Sequence, residues 1–409
     1  MRGLVAGTLA LLATLALAAC GGGESAGSRT VTWYVFNEPS GAYRQAAENC
    51  SRGKPYRISL VALPTNADQQ RELIARRLAA KDPDLDVLGM DVIWTAEFAE
   101  AEWIRPWSGD RERRARAGTL PGPLKTAVYR GRLWVAPFTS NTQLLWYRKD
   151  LVSRPPETWD EMIRQASQLD EAGKIEVQGA KYEGLTVWFN SLIQSAGGQI
   201  LRPDGEPSLG PPAQRAAQVI KNLATSPAAN PSLSNTREDQ ARLAFQEGKA
   251  AFQVNYPFIY ASAQTDAKQF VPKIGWARFP AVDPGRPSRP PLGGINLGVS
   301  AFSRQPDRAF EAALCLARPE NQVIATQKGG LPPTQASLYR DPRIQRAYPF
   351  ADVLGASIRD GAPRPVTPAY SDVSLAVQDA LHPPRDIVPP RVPEELAAKL
   401  QKAAEGAIF

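Results

Sequence analysis

Val31-Thr-Trp-Tyr-Val-Phe36, Arg57-Ile-Ser-Leu-Val-Ala-Leu63 and Leu85-Asp-Val-Leu-Gly-Met90 decide the fold of this chain. Each is a short run rich in β-branched, aromatic or aliphatic residues and reads as a strand. Ser40 to Cys50 separates the first two and has helical spacing, with Tyr43, Ala46, Ala47 and Cys50 on one stripe. Ala67 to Ala80 separates the next pair, carrying Leu73, Ile74 and Leu78 and capped by Thr65 or Asn66. Strand–helix–strand–helix order predicts a parallel sheet covered on both faces, hence an α/β fold.

Downstream, Leu133 to Thr139 and Gln143 to Tyr147 read as strands separated only by Ser140-Asn141-Thr142, a crossover into a second lobe. Helix signals return from Thr158. Further strands are expected at Gly184–Val187, Ala250–Val254, Ile274–Phe279 and Ile295–Ser300, then a helix from Asp307 to Ala317, the loop Lys328 to Pro333, and helices to the end. No internal repeat is present.

The N-terminus has its own signature. Met1-Arg2 is a positive start, Leu4 to Ala19 an apolar run, and Leu17-Ala18-Ala19-Cys20 closes it. That is the pattern of a secretory leader, and the run is shorter than the roughly 18–20 residues a spanning helix needs. Cys20 in that frame resembles the bacterial lipobox, in which the thiol is acylated. Residues 1–19 are therefore expected to be a signal peptide and 20–29 a flexible, lipid-anchored tether. The alternative is a plain secreted protein cut nearby. Either way the mature chain is expected outside the cytoplasm, and the lipobox places it on the outer face of the cell membrane.

A chain of 409 residues is too long for one compact core and comfortable for two lobes. The formal charge of +7 invites a nucleic-acid reading. The basic residues are dispersed, however, and the densest run, Arg111 to Arg116, is interrupted by Glu112; a solvated helix face explains it better. No nucleic-acid partner is expected. Two cysteines remain beside Cys20, Cys50 and Cys315. An exported chain sits where disulfides persist, so the pair is expected to be bridged, with two separate buried thiols as the alternative.

In open α/β sheets ligands bind at the carboxyl ends of the strands. Asn37 and Glu38 follow the first predicted strand, Thr65 and Asn66 the second, Asp91 the third and Asn141 the fourth. Trp188 and Asn190 follow the Gly184 run; Asn255, Tyr256 and Phe258 follow the Ala250 run. Amides, a few carboxylates and aromatic rings suit a neutral ligand with many hydroxyl groups, because carboxylates accept paired O–H donors and ring faces cover the apolar side of a pyranose. Taken singly, Asp and Asn often only cap a helix and Trp or Tyr is usually core.

Catalytic constellations are scarce. The one histidine, His382, stands beside Pro383-Pro384, which removes histidine triads, HExxH zinc sites and Cys/His metal clusters. No cofactor and no metal are expected. Glu38 and Asp91 leave a glycosidase open as a rival class.

Gly131-Arg-Leu-Trp-Val-Ala-Pro-Phe138, Leu145-Trp-Tyr-Arg-Lys-Asp-Leu151 and Pro156-Glu-Thr-Trp-Asp-Glu161 resemble the entry block of extracellular solute-binding proteins for maltose-type sugars. Phe245-Gln-Glu-Gly-Lys-Ala-Ala-Phe252, Asn255-Tyr-Pro-Phe258, Gly329-Gly-Leu-Pro-Pro-Thr334 and Arg364-Pro-Val-Thr-Pro-Ala-Tyr-Ser371 extend the resemblance. With Phe36-Asn-Glu-Pro-Ser40 and Met90-Asp-Val-Ile-Trp94, the pattern is most similar to the trehalose-binding branch, which includes actinobacterial lipoproteins. The resemblance implies a two-lobed periplasmic-binding-protein-like fold, each lobe a sheet flanked by helices, joined by hinge strands. Residues 30–139 plus 294–327 would form lobe one and 140–293 plus 328–409 lobe two, which puts Cys50 and Cys315 in one lobe.

It further implies hydroxyl binding by Glu38 and Asp91, with Asn37 and Gln70 nearby and Asn141 at the hinge. Tyr256 and Phe258 would stack on sugar rings, Gly330 and Leu331 would offer backbone groups, and Arg364 would reach in from lobe two. Ile295, after Gly293-Gly294, departs from the aromatic that many relatives carry. The implied role is a non-enzymatic, monomeric binding component of an ABC importer that passes a disaccharide, trehalose first, to a membrane permease. Maltose, a longer glucan or a glycerophosphodiester are the rival ligands.

Overall fold

β1 (Thr30–Phe36) runs parallel to β2 (Arg57–Leu63), in register from Thr30 opposite Arg57 to Phe36 opposite Leu63. β3 (Val87–Asp91) lies parallel on the other side of β1. The intervening helices are Ala42–Ser51 and Ala67–Ala79. Val31, Trp33 and Val35 on one face of β1 and Tyr34 on the other are all buried, as a parallel sheet covered on both sides requires. The computed structural model describes residues 30–64, 67–202 and 204–404. The leader, Cys20, the tether and the Thr65–Asn66 cap lie outside the described residues.

A short hairpin, β4 (Val128–Tyr129) and β5 (Arg132–Leu133), precedes β6 (Val135–Asn141). β6 belongs to the first sheet, whereas β7 (Leu144–Arg148) already belongs to a second one. The chain thus changes sheets between Asn141 and Leu144, with Ser140 and Asn141 of the expected crossover still in β6. The second sheet has the order β10-β7-β9-β8, with β8 at Ile175–Glu176, β9 at Phe252–Asn255 and β10 at Ile274–Ala277. β11 (Pro291–Val299) returns to the first sheet, antiparallel to both β3 and β6. β12 (Ala362–Pro363) pairs with the start of β11.

Each sheet carries its own core. Trp33, Tyr43, Phe98 and Phe138 fill the first; Trp159, Trp188, Phe189 and Phe252 fill the second. A third cluster joins Trp146, Tyr260 and Phe350 to Leu120 and Leu292. Cys50 and Cys315 are bridged, with 5.7 Å between their Cα atoms, tying the helix Ala42–Ser51 to the helix Pro306–Leu316. The basic run lies on the helix Gly109–Arg116, where Arg113 pairs with Asp110 and Arg116 with Glu112. Among the described residues no helix is long and apolar enough to cross a membrane.

One expectation fails. Gly184–Val187 is not a strand but the start of the helix Glu183–Ser195, in which Gly184 to Leu192 are all buried. A short apolar run has no periodicity that separates a buried strand from a helix buried on every side.

Candidate functional site

β1, β2 and β3 run parallel, so their carboxyl ends lie at one edge of the first sheet. Asp91 closes β3, and its Oδ1 accepts from the backbone N–H of Ile93 at 3.1 Å, capping the turn that follows. The same oxygen accepts from Arg364 Nη2 at 3.1 Å. Arg364 follows β12, and its other arm donates to Glu183 Oε1 at 2.7 Å. Glu183 opens a helix of the second core, so one guanidinium bridges the two halves of the molecule.

Glu183 is itself held in place. The Tyr370 hydroxyl donates to Oε1 and the Ser374 hydroxyl to Oε2, each at 2.5 Å. These are charge-assisted bonds, shorter and stronger than neutral ones. The Arg364 side chain is only 6% exposed. Burial alone would lower its pKa, but the negative charges of Asp91 and Glu183 outweigh that and hold it well above the usual value. Burial pushes the Tyr370 phenol up, and the Glu183 charge adds to it.

Around this triad lies a cavity of about 300 Å³. Asp91, Asn141, Gly293 and Gly294 line it from the first sheet and its hinge strands; Tyr182, Glu183, Arg237, Glu238 and Tyr256 line it from the opposite side. Burial raises the pKa of Glu238, against the opposing effect of its hydrogen bonds, and raises those of Tyr182 and Tyr256, with Glu238's charge adding in both cases. The Asn141 amide is oriented by the Thr142 N–H, which donates to its Oδ1 at 3.1 Å. A small cavity with carboxylates, an amide, two guanidinium groups and two phenols can bind several hydroxyl groups and cover a ring face.

Of the residues expected from sequence, Asp91, Asn141, Tyr256 and Arg364 meet in this cavity. A second group gathers outside the lining of this cavity. Glu38 accepts from the N–H groups of Ser40 and Ala42, both at 2.8 Å, and a Cβ on Gly329 would stand 3.1 Å from its Oε1. Leu331 lies against Gly329, and Gly330 against Phe258. Asn37 is exposed beside Glu38.

Four expected residues point elsewhere. Gln70 is buried and donates to the Pro64 carbonyl at 2.8 Å. Trp188 and Asn190 sit inside the helix that replaces the expected strand. Trp188 packs against Trp159 with ring centroids 5.5 Å apart, and Asn190 Nδ2 donates to the Pro363 carbonyl at 3.4 Å. Asn255 is fully buried; it donates to the Glu238 carbonyl at 2.9 Å and accepts from the Tyr256 N–H at 2.9 Å. It braces two cavity-lining residues rather than lining the cavity.

Sequence reasoning missed Tyr182, Glu183, Arg237 and Glu238. Tyr182 and Glu183 were hidden by the mistaken strand, since side chains ahead of a strand sit at its unused end. Reading Glu183 as the acidic first turn of a helix would have exposed it.

A model of the family described as bacterial extracellular solute-binding protein matches residues 57–323. The "Probable ABC transporter-binding protein" of Deinococcus radiodurans is 30% identical over 347 residues, which are 80% of this chain and 81% of the relative. The maltose-bound structure of MalE3 from T. maritima superposes with a TM-score of 0.82 at 27% identity, covering 91% of this chain and 99% of that one. The GacH receptor of Streptomyces glaucescens, studied unliganded and with acarbose, shares the two-lobed fold with a TM-score of 0.79 at 22% identity, covering 93% and 98%.

Proposed function

The chain belongs to the bacterial extracellular solute-binding proteins, and from that premise we propose that it captures trehalose, or a closely related disaccharide, for an ABC importer. The observation that carries this reading is the cavity bridged by Arg364, with Asp91 on one side and Glu183 on the other. Its volume of about 300 Å³ is at the small end for ligand pockets, which favours a disaccharide over a long glucan. The trehalose choice rests on the similarity of Phe36–Ser40 and Met90–Trp94 to that branch.

Lobe one comprises residues 30–139 and 294–327 in this reading, and lobe two residues 140–293 and 328–409. Sugar hydroxyls contact both, so binding stabilises the closed arrangement by its differential affinity for it. Asp91, Asn141, Glu183, Glu238 and Arg364 take the hydroxyls and Tyr256 covers a ring. Glu38, Asn37, Phe258, Gly330 and Leu331 form the outer wall. Acylated Cys20 tethers the monomer to the outer face of the membrane, where the closed form meets the permease.

No hydrolysis accompanies binding. Both oxygens of Glu38 accept backbone N–H groups and Asp91 Oδ1 is ion-paired with Arg364, which supports a binding rather than a hydrolytic role for the two carboxylates. Maltose is the second reading, favoured by the 27% identical relative that holds it. Isothermal titration of the leaderless protein with trehalose, maltose and maltotriose tests the assignment. Saturable binding led by trehalose is expected, with no glucose released; silence towards all three overturns it.

A further inference from the structure

Among the described residues, Arg364 is the one buried cation lining the cavity, and it meets a carboxylate on either side. An arginine left free there would recruit phosphate or carboxylate groups, since its planar fork matches both. Here both arms are already engaged. Four carboxylates line the cavity, Asp68, Asp91, Glu183 and Glu238, against two guanidinium groups, Arg237 and Arg364.

Glu183 differs from the others in how it is mounted. Tyr370 and Ser374 each donate to the carboxylate at 2.5 Å, and both come from the helix Tyr370–Leu381, packed against its own. A residue that only met ligand would not need two fixed donors behind it. On the reading that the cavity binds a neutral disaccharide, we infer that Glu183 is a specificity-determining positioning residue. It fixes Arg364 across the cavity and cancels its charge, so that neutral sugars are accepted and anionic ones rejected. The rejection is electrostatic: a phosphate entering beside Arg364 also meets Asp91 and Glu183, and like charges in a partly desolvated site repel strongly.

The test compares wild type with Glu183→Gln, which keeps the shape and an acceptor while removing the charge, and with Glu183→Ala as a second neutral variant. Tyr370→Phe, which leaves the charge in place, is the control. Each protein, folded by its melting transition, is titrated with trehalose, maltose and α-glucose 1-phosphate at low and high salt. Either neutral variant is expected to bind α-glucose 1-phosphate at least about tenfold better than wild type, with a steep salt dependence, while Tyr370→Phe does not. An unchanged preference in the neutral variants, or an equal gain in Tyr370→Phe, overturns the inference even where wild type binds trehalose. A wild type that binds neither trehalose nor maltose removes the underlying reading instead.

Discussion

Gly294 lies so close to Thr139 that a Cβ added to it would stand 2.2 Å from the Thr139 carbonyl oxygen. Its φ of 136° is closed to other L residues as well. Here β11 pairs with β6 beside the cavity, next to a register shift at Ile295–Asn296. The close approach lets the hinge strands pack backbone to backbone. Gly294→Ala is therefore expected to cost at least about 2 kcal/mol of stability, read as a lower midpoint in urea unfolding. A midpoint equal to wild type would mean that the hinge relaxes freely.

Asp91→Ala leaves Arg364 tied to Glu183 alone and removes a charge-assisted acceptor for ligand hydroxyls. The expected loss is about 1.5–3 kcal/mol of binding free energy, or roughly tenfold or more in Kd. Calorimetry with trehalose checks it, and an affinity matching wild type removes Asp91 from the site.

Glu176 gives the protein a pH signature. Burial pushes its carboxyl from the ordinary 4.5 up to about 7, against the opposing hydrogen bond from Asn230. Because the folded state then holds the proton more tightly than the unfolded chain, this contribution is complete below about pH 4.5 and is lost as pH rises through 7. Its total is up to about 3 kcal/mol. Glu176→Gln is expected to flatten the fall in stability between those limits and to be the more stable protein at pH 8. Chemical unfolding of both proteins across the range measures the difference, and parallel curves would refute the assignment.

The disulfide Cys50–Cys315 closes a loop with a sequence separation of 265 residues. Replacing both cysteines with serine should cost about 2–5 kcal/mol while leaving ligand affinity unchanged, because the bridge joins two helices of the first core away from the cavity. Differential scanning calorimetry and sugar titration on the same sample separate the two effects.

Much of this was legible because local physics wrote it. The stripe of Tyr43, Ala46, Ala47 and Cys50 is buried as its spacing predicts, and Asp91 and Asn141 end strands where the alternation of elements put them. Asn255 misled for a physical reason: an amide at a strand end can turn inward as readily as outward, and here it satisfies the Glu238 carbonyl and the Tyr256 N–H. Trp188 misled because Leu-Thr-Val-Trp-Phe carries β-branched and aromatic residues yet is buried on every side of a helix.

By itself, then, the order of residues determined the alternating elements of the first sheet, a sheet change close to Asn141, the inward face of Cys50 and the polar ends of the first strands. These follow from periodicity and backbone preference, which act over a few residues. Only the tertiary structure decided that Asp91 would meet Arg364, 273 positions away, and that Arg364 would also meet Glu183, 181 positions away. Contacts at that separation depend on how whole sheets and helices pack, and no local pattern encodes the partner of a buried charge.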